Sequence, residues 1–229
     1  MHLITEPKGT FAELLRAVRQ AVEGGVDWVQ LRDKSASASS MYRQALALTP
    51  SPAASGEGWG EGTRLSINDR LDVALACGAR AVHLAAQSLP VTAARSIAGN
   101  LIVGRSVHSL DEARVAVQDG ADYVTFGHVF PSTSKPGLEP RGIAQLAEIV
   151  QAVDVPVLAI GGINLANLDQ VLATGCAGIA VISAILAASD PGQASAELRR
   201  ALDGSPHQPR HSFISLEDAH ALNRQPTTV

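Results

Sequence analysis

His128, Lys135 and Arg141, with the hydroxyls of Ser132, Thr133 and Ser134 among them, fall in one stretch, YVTFGHVFPSTSKPGLEPRG, residues 123–142. An imidazole titrates near neutrality, so His128 is suited to taking a proton from carbon and returning one elsewhere. A lysine, an arginine and hydroxyls in the same loop suit an anionic substrate group. The stretch opens as a short apolar strand, residues 123–126, so these groups lie just past a strand's carboxyl end. In a parallel α/β protein, chemistry is concentrated there. The structural alternative is a histidine packed on Phe126 or Phe130 and hydrogen-bonded locally.

Other segments offer chemistry at equivalent places. Gln30, Arg32 and Lys34 alternate at the end of a second apolar run and share a face if the strand continues. Asn68-Asp69 follows a third; Asp69 can ligate a cation or cap the helix expected from Arg70. Gly104-Arg105-Ser106-Val107-His108-Ser109 places Ser106 at a mouth, while Ser109 with Glu112 reads as a capping box. Gly161-Gly162 and Ile182-Ser183 follow the last two strands, where backbone N–H groups commonly hold phosphate.

These groups need a scaffold of alternating strands and helices. Strands are expected at residues 2–5, 28–31, 64–67, 81–84, 102–104, 123–126, 157–160 and 178–181. Helices are expected at residues 11–23, 39–48, 70–77, 91–97, 110–118, 143–152, 165–173 and 193–203. The phrase at residues 78–82, Gly-Ala-Arg-Ala-Val, returns at residues 120–124 as Gly-Ala-Asp-Tyr-Val, a helix-ending glycine leading into a strand. Eight such units favour a single-domain (β/α)8 TIM barrel over a doubly wound open sheet. Two segments fall outside the pattern. Residues 49–63 are rich in Pro, Gly and Ser and read as a flexible insertion, with Trp59 solvated. Residues 204–229 read as a polar, loosely ordered tail whose His207, His211 and His220 match no tight metal spacing.

Composition narrows the partners. Of 229 residues, 46% are hydrophobic but only 3% aromatic, which calls for an aliphatic core. A net charge of -4 without a basic run argues against nucleic acid. No apolar run is long enough to span a bilayer, and no secretory leader is visible. Cys77 and Cys176 read as reduced core residues, so a cytoplasmic protein is expected. The sequence sets no oligomeric state; a homo-oligomer is compatible with it.

Over residues 1–203 the chain resembles the thiamine phosphate synthase/TenI superfamily. The matching segments are Gln30-Leu31-Arg32-Asp33-Lys34, Ile67-Asn68-Asp69-Arg70, Val82-His83-Leu84, residues 104–109, the stretch from Tyr123 to Gly142, and the segments around Gly161-Gly162 and Ile182-Ser183. The resemblance implies a (β/α)8 barrel and a small phosphorylated thiazole as substrate. In the synthase branch, hydroxymethylpyrimidine pyrophosphate is coupled to thiazole phosphate with Mg2+. That branch reads Val-His-Leu-Gly-Gln-x-Asp-Leu-Pro after the fourth strand, and its Asp serves the metal together with the Asp of Asn-Asp, here Asp69. Here Ala86 and Ser88 replace its Gln and Asp, and His128 replaces the proline of its Gly-Pro. These departures resemble the TenI branch, whose thiazole tautomerases aromatise a carboxythiazole phosphate by proton transfer.

Thiazole tautomerase is therefore the leading expectation, with no cofactor. His128 would be the acid/base, and Gly162 and Ser183 would hold the phosphate. Arg32 or Lys135 is our assignment for the substrate carboxylate. Gln30, Lys34, Asn68, Ser106, Gly161 and Ile182 would complete the binding site. The alternatives are a Mg2+-dependent thiamine phosphate synthase using Asp69, and a non-catalytic binder of phosphorylated ligands.

Overall fold

The computed structural model describes residues 1–49 and 64–213. Eight parallel strands, paired each to the next and the last to the first, close into a barrel. They are β1 (His2–Ile4), β2 (Trp28–Leu31), β3 (Arg64–Asn68), β4 (Ala81–Leu84), β5 (Ile102–Val107), β6 (Tyr123–Gly127), β7 (Val157–Ile160) and β8 (Gly178–Val181). Around them lie α1 (Phe11–Glu23), α2 (Ala38–Leu48), α3 (Leu71–Ala76), α4 (Val91–Ala98), α5 (Leu110–Gln118), α6 (Gly142–Ala152), α7 (Leu168–Leu172), the short α8 (Ser183–Leu186) and α9 (Pro191–Asp203). Among the described residues no helix is long and apolar enough to cross a membrane.

The strands are short and apolar because both faces are covered, outside by helices and inside by one another. Alternation along each strand splits the side chains. Val29, Leu31, Leu65, Ile67, Val82, Leu84, Val103, Val124 and Phe126 join the aliphatic core shared with the helices. Trp28, Ala81, Ile102, Tyr123 and Leu158 point inward and form a separate apolar layer low in the barrel. Above it the inward positions turn polar: Gln30, Ser66, Asn68, His83 and Thr125 are all buried. A polar upper layer over an apolar floor makes the carboxyl end of the barrel the place for a site.

Three expectations change. β5 runs to Val107, so Ser106 sits on a strand and not in a loop. The seventh helix begins at Leu168, because Asn164 and Asn167 bind the amides of Ala166 and Asn164, both at 2.9 Å, and hold the chain in a turn. The segment after α9 is packed as far as Phe213. Arg210 donates to the Gln151 carbonyl at 2.7 Å, and its own amide donates to the Gly175 carbonyl at 2.9 Å. His207 lies 3.2 Å from Asp169 and His211 3.9 Å from Asp154, so each faces a carboxylate on a different element. Phe213 then reaches the barrel floor, with ring centroids 5.0 Å from Tyr123 and 4.9 Å from His2. Trp59 and His220 lie outside the described residues.

Candidate active site

A cavity of about 740 Å3 opens at the carboxyl ends of the strands. Every site residue expected from sequence lines it: Gln30, Arg32, Lys34, Asn68, Asp69, Ser106, His128, Lys135, Gly161, Gly162, Ile182 and Ser183. The fold thus gathers groups from β2 round to β8 that lie up to 153 positions apart, 183 minus 30, in the chain. Arg141, grouped in sequence with the anion-binding residues, is not among the lining. It donates from Nε to the Gly127 carbonyl at 3.1 Å and from its amide to the His128 carbonyl at 2.9 Å, fastening the β6 loop.

One side of the cavity is a line of side-chain amides leading to one carboxylate. Gln30 Nε2 donates to Asn68 Oδ1 at 2.9 Å, and Asn68 Nδ2 donates to Asp69 Oδ2 at 2.5 Å. The opposite oxygen, Oδ1, accepts the Ala85 amide at 3.0 Å and the Ser88 hydroxyl. Asp69 does not cap α3, whose N-cap position is Arg70 without a side-chain cap. With φ at +64°, the Asp69 backbone turns its carboxylate toward the β4 loop. The helix-cap reading of this residue is corrected accordingly.

The cations are less constrained. Arg32 is fixed through its backbone, its amide donating to Thr5 Oγ1 at 2.8 Å. Arg32, Lys34 and Lys135 line the cavity, and no ion pair engages them among the described residues. Arg70 differs, since its guanidinium is paired with Asp72. His108 binds Glu112 at the start of α5, through its amide at 2.8 Å and its ring at 3.2 Å, which is a helix-start role.

His128 is 7% exposed, and its Nε2 donates to the Leu138 carbonyl at 3.2 Å, holding the Nε2–H tautomer. The Gly127–His128 peptide is cis. Gly161 and Gly162 carry φ of +101° and +68°. A Cβ on Gly161 would lie 2.3 Å from His128 Cβ, and one on Gly162 2.4 Å from the Pro131 carbonyl. These two glycines are therefore required by the close passage of the β6 loop over the β7 loop, before any ligand is considered.

Sequence reasoning missed His83 as a site residue. It lines the cavity from β4 with its ring between the Ser106 hydroxyl, 2.9 Å from Nε2, and the Tyr123 hydroxyl, 3.0 Å from Nδ1. Burial pushes its imidazole down to about 4; Asp69 nearby opposes this and Arg105 adds to it. The available signal was strand alternation: Ala81 and His83 share the inward face of β4.

The metal implied by the synthase branch has a restricted donor set here. Among the described residues no group of three or more His, Cys, Asp or Glu side chains is arranged to hold a metal ion. Asp69 alone presents a fixed carboxylate at the centre of the line just described. One carboxylate suits Mg2+ where substrate phosphates supply the remaining oxygens.

The family model described as thiamine monophosphate synthase matches residues 1–185. A thiamine-phosphate synthase of Pyrococcus abyssi is 45% identical over 192 residues, covering 82% of this chain and 88% of its own. Another, of Chloroflexus aurantiacus, is 43% identical over 183 residues, covering 80% and 82% respectively. The solved thiamine phosphate pyrophosphorylase of Pyrococcus furiosus superposes with a TM-score of 0.75 at 38% identity, covering 88% of this chain and 94% of that one. These similarities overturn the tautomerase expectation, which rested on His128 and Ser88: the similar chains are named thiamine-phosphate synthases. His128 lines the cavity with its ring tied through Nε2 to the Leu138 carbonyl. By the family match and these identities, the chain belongs to the thiamine monophosphate synthase family.

Proposed function

We propose that this protein is a thiamine-phosphate synthase, coupling hydroxymethylpyrimidine pyrophosphate to thiazole phosphate with release of pyrophosphate. The observation that carries the reading is the set Arg32, Lys34 and Lys135, cations that no ion pair engages among the described residues, facing one cavity that also holds Asp69. As the bond to pyrophosphate breaks, negative charge grows on the departing oxygens. Cations facing the cavity stabilise that charge. The identities with named synthases support the same reaction.

The roles divide by position. Arg32, Lys34 and Lys135 bind the pyrophosphate, with Ser132 and Ser134 beside them on the β6 loop. Gln30 and Asn68 orient Asp69, which would hold Mg2+ jointly with the pyrophosphate oxygens. The metal, when bound, neutralises charge on the leaving group. Backbone N–H groups at Gly162 and Ser183 bind the phosphate of the thiazole substrate, and Ile182 sets the entry to α8. His128 holds the β6 loop down on the cavity.

The decisive experiment incubates the purified chain with both substrates, with and without Mg2+, and follows thiamin phosphate and pyrophosphate. Mg2+-dependent formation of both is expected. No product at high enzyme and high Mg2+ would remove the reading.

A further inference from the structure

His83, Tyr123 and Ser106 form a buried line that the coupling reaction, as assigned above, leaves unused. Tyr123 belongs to the apolar floor and is 1% exposed. Its ring is held from two sides. Gly104 lies under it on the adjacent strand, where a Cβ would come within 2.0 Å of Tyr123 Cζ. Phe213 packs edge-on against it from below at 5.0 Å. The phenol oxygen is thereby delivered to His83 Nδ1 at 3.0 Å, and the far side of the imidazole meets Ser106 Oγ at 2.9 Å. Ser106 and His83 face the cavity; Tyr123 does not.

A neutral imidazole carries one N–H, so the line has two possible directions. In one, the Tyr123 hydroxyl donates to Nδ1, Nε2–H donates to Ser106 Oγ, and the Ser106 proton is left to point into the cavity. In the other, every donor is reversed, and Ser106 spends its proton on Nε2. The reversed direction also leaves the Tyr123 proton seeking an acceptor. Ser66 Oγ, buried beside the phenol, can take that proton, but its own hydroxyl proton is then left without an acceptor, whereas in the first direction Ser66 can donate to the phenol oxygen. A buried hydroxyl proton without an acceptor is unfavourable.

We propose that Tyr123 is a positioning residue: its phenol fixes His83 as the Nε2–H tautomer, which turns the Ser106 hydroxyl into a donor aimed at the bound substrate. The proposal rests on the synthase reading only for the identity of the substrate. The direction of the line is a property of the free protein.

The test uses the full chain labelled with 15N-histidine. Two-bond 1H–15N spectra report the tautomer of each ring, and loss of one set of signals in His83→Gln assigns His83. The wild type is expected to show protonated Nε2 and bare Nδ1 at His83. In Tyr123→Phe, which keeps the ring and removes only the hydroxyl, His83 should shift to a mixture of tautomers. Thiamin phosphate formation should fall on the order of tenfold in kcat for Tyr123→Phe and for Ser106→Ala. The double variant should lose no more than either single one, because both changes remove one donor. A wild-type His83 protonated at Nδ1, or a tautomer unchanged in Tyr123→Phe, overturns the proposal. A protein that makes no thiamin phosphate yet shows the Nε2–H tautomer, shifted by Tyr123→Phe, sinks the synthase reading and leaves the line standing.

Discussion

Ser88 gives its hydroxyl proton to Asp69 Oδ1, the same oxygen that takes the Ala85 amide at 3.0 Å. A neutral donor therefore stands where the synthase pattern carries a second carboxylate. It stabilises the charge of Asp69 and adds no charge for a cation. The free protein is expected to bind Mg2+ or Mn2+ weakly, with affinity appearing when inorganic pyrophosphate is present to complete the oxygen set. Ser88→Asp should tighten metal binding by the free protein about tenfold or more, read by titration calorimetry. Equal affinity in the two proteins would show that this position does not face the metal.

The hydrogen bond from His128 Nε2 to the Leu138 carbonyl closes the loop that carries Ser132, Ser134 and Lys135. His128→Ala removes the donor and should free that loop. Binding of the pyrophosphate substrate should weaken about five- to tenfold, seen as a rise in KM larger than any fall in kcat. His128→Gln, which can restore an N–H at similar reach, should recover part of the loss. A kcat reduced by several hundredfold with KM unchanged would instead mark His128 as acting in the chemical step.

Acid should destabilise the protein earlier than its carboxylates alone would. His83 is held near about 4 by burial, against 6.5 unperturbed, and burial pushes His2 in the same direction. Between these two values the unfolded chain binds a proton that the folded chain refuses, so stability is complete above about pH 6.5 and falls as pH drops toward 4. For His83 alone the difference corresponds to roughly 3 kcal/mol. Urea denaturation at pH 7 and pH 4.5 should show the loss, and His83→Gln should flatten it. A pH-independent midpoint over that range would contradict the burial of both rings.

Phe213 touches His2, Trp28 and Tyr123 across the barrel floor. Phe213→Ala opens a space there that the floor can only partly fill. A loss of about 1–2 kcal/mol is expected in chemical denaturation, below the usual figure for a fully buried phenylalanine because this ring is partly exposed. Phe213→Leu should recover most of it. No change in either variant would mean the segment after α9 adds nothing to the barrel.

Much of the barrel was legible in the chain because its physics is local. Apolar runs, helix-ending glycines and N-cap residues act within a few positions of themselves. α1 runs from Phe11 to Glu23, the range expected, and the structure adds the capping box of Thr10 and Glu13 at its start. The site residues were legible for a related reason: in a parallel barrel, polar groups just past a strand's end converge on one rim whatever their separation in sequence. The direction of each side chain once there was not legible. Whether Asp69 caps a helix or turns to the β4 loop depends on Ala85 and Ser88, which sit on another strand's exit. Whether His128 is free or tied depends on Leu138. His83 acquires its partners only when closure sets β4 beside β5 and β5 beside β6. Phe213 lies far from Tyr123 in sequence, and no periodicity joins them. Residue types and spacing thus determined the barrel and the composition of its rim. Closure of the sheet, by bringing donors from non-adjacent segments to single atoms, decided which rim groups remain available to a substrate and which hold the protein together.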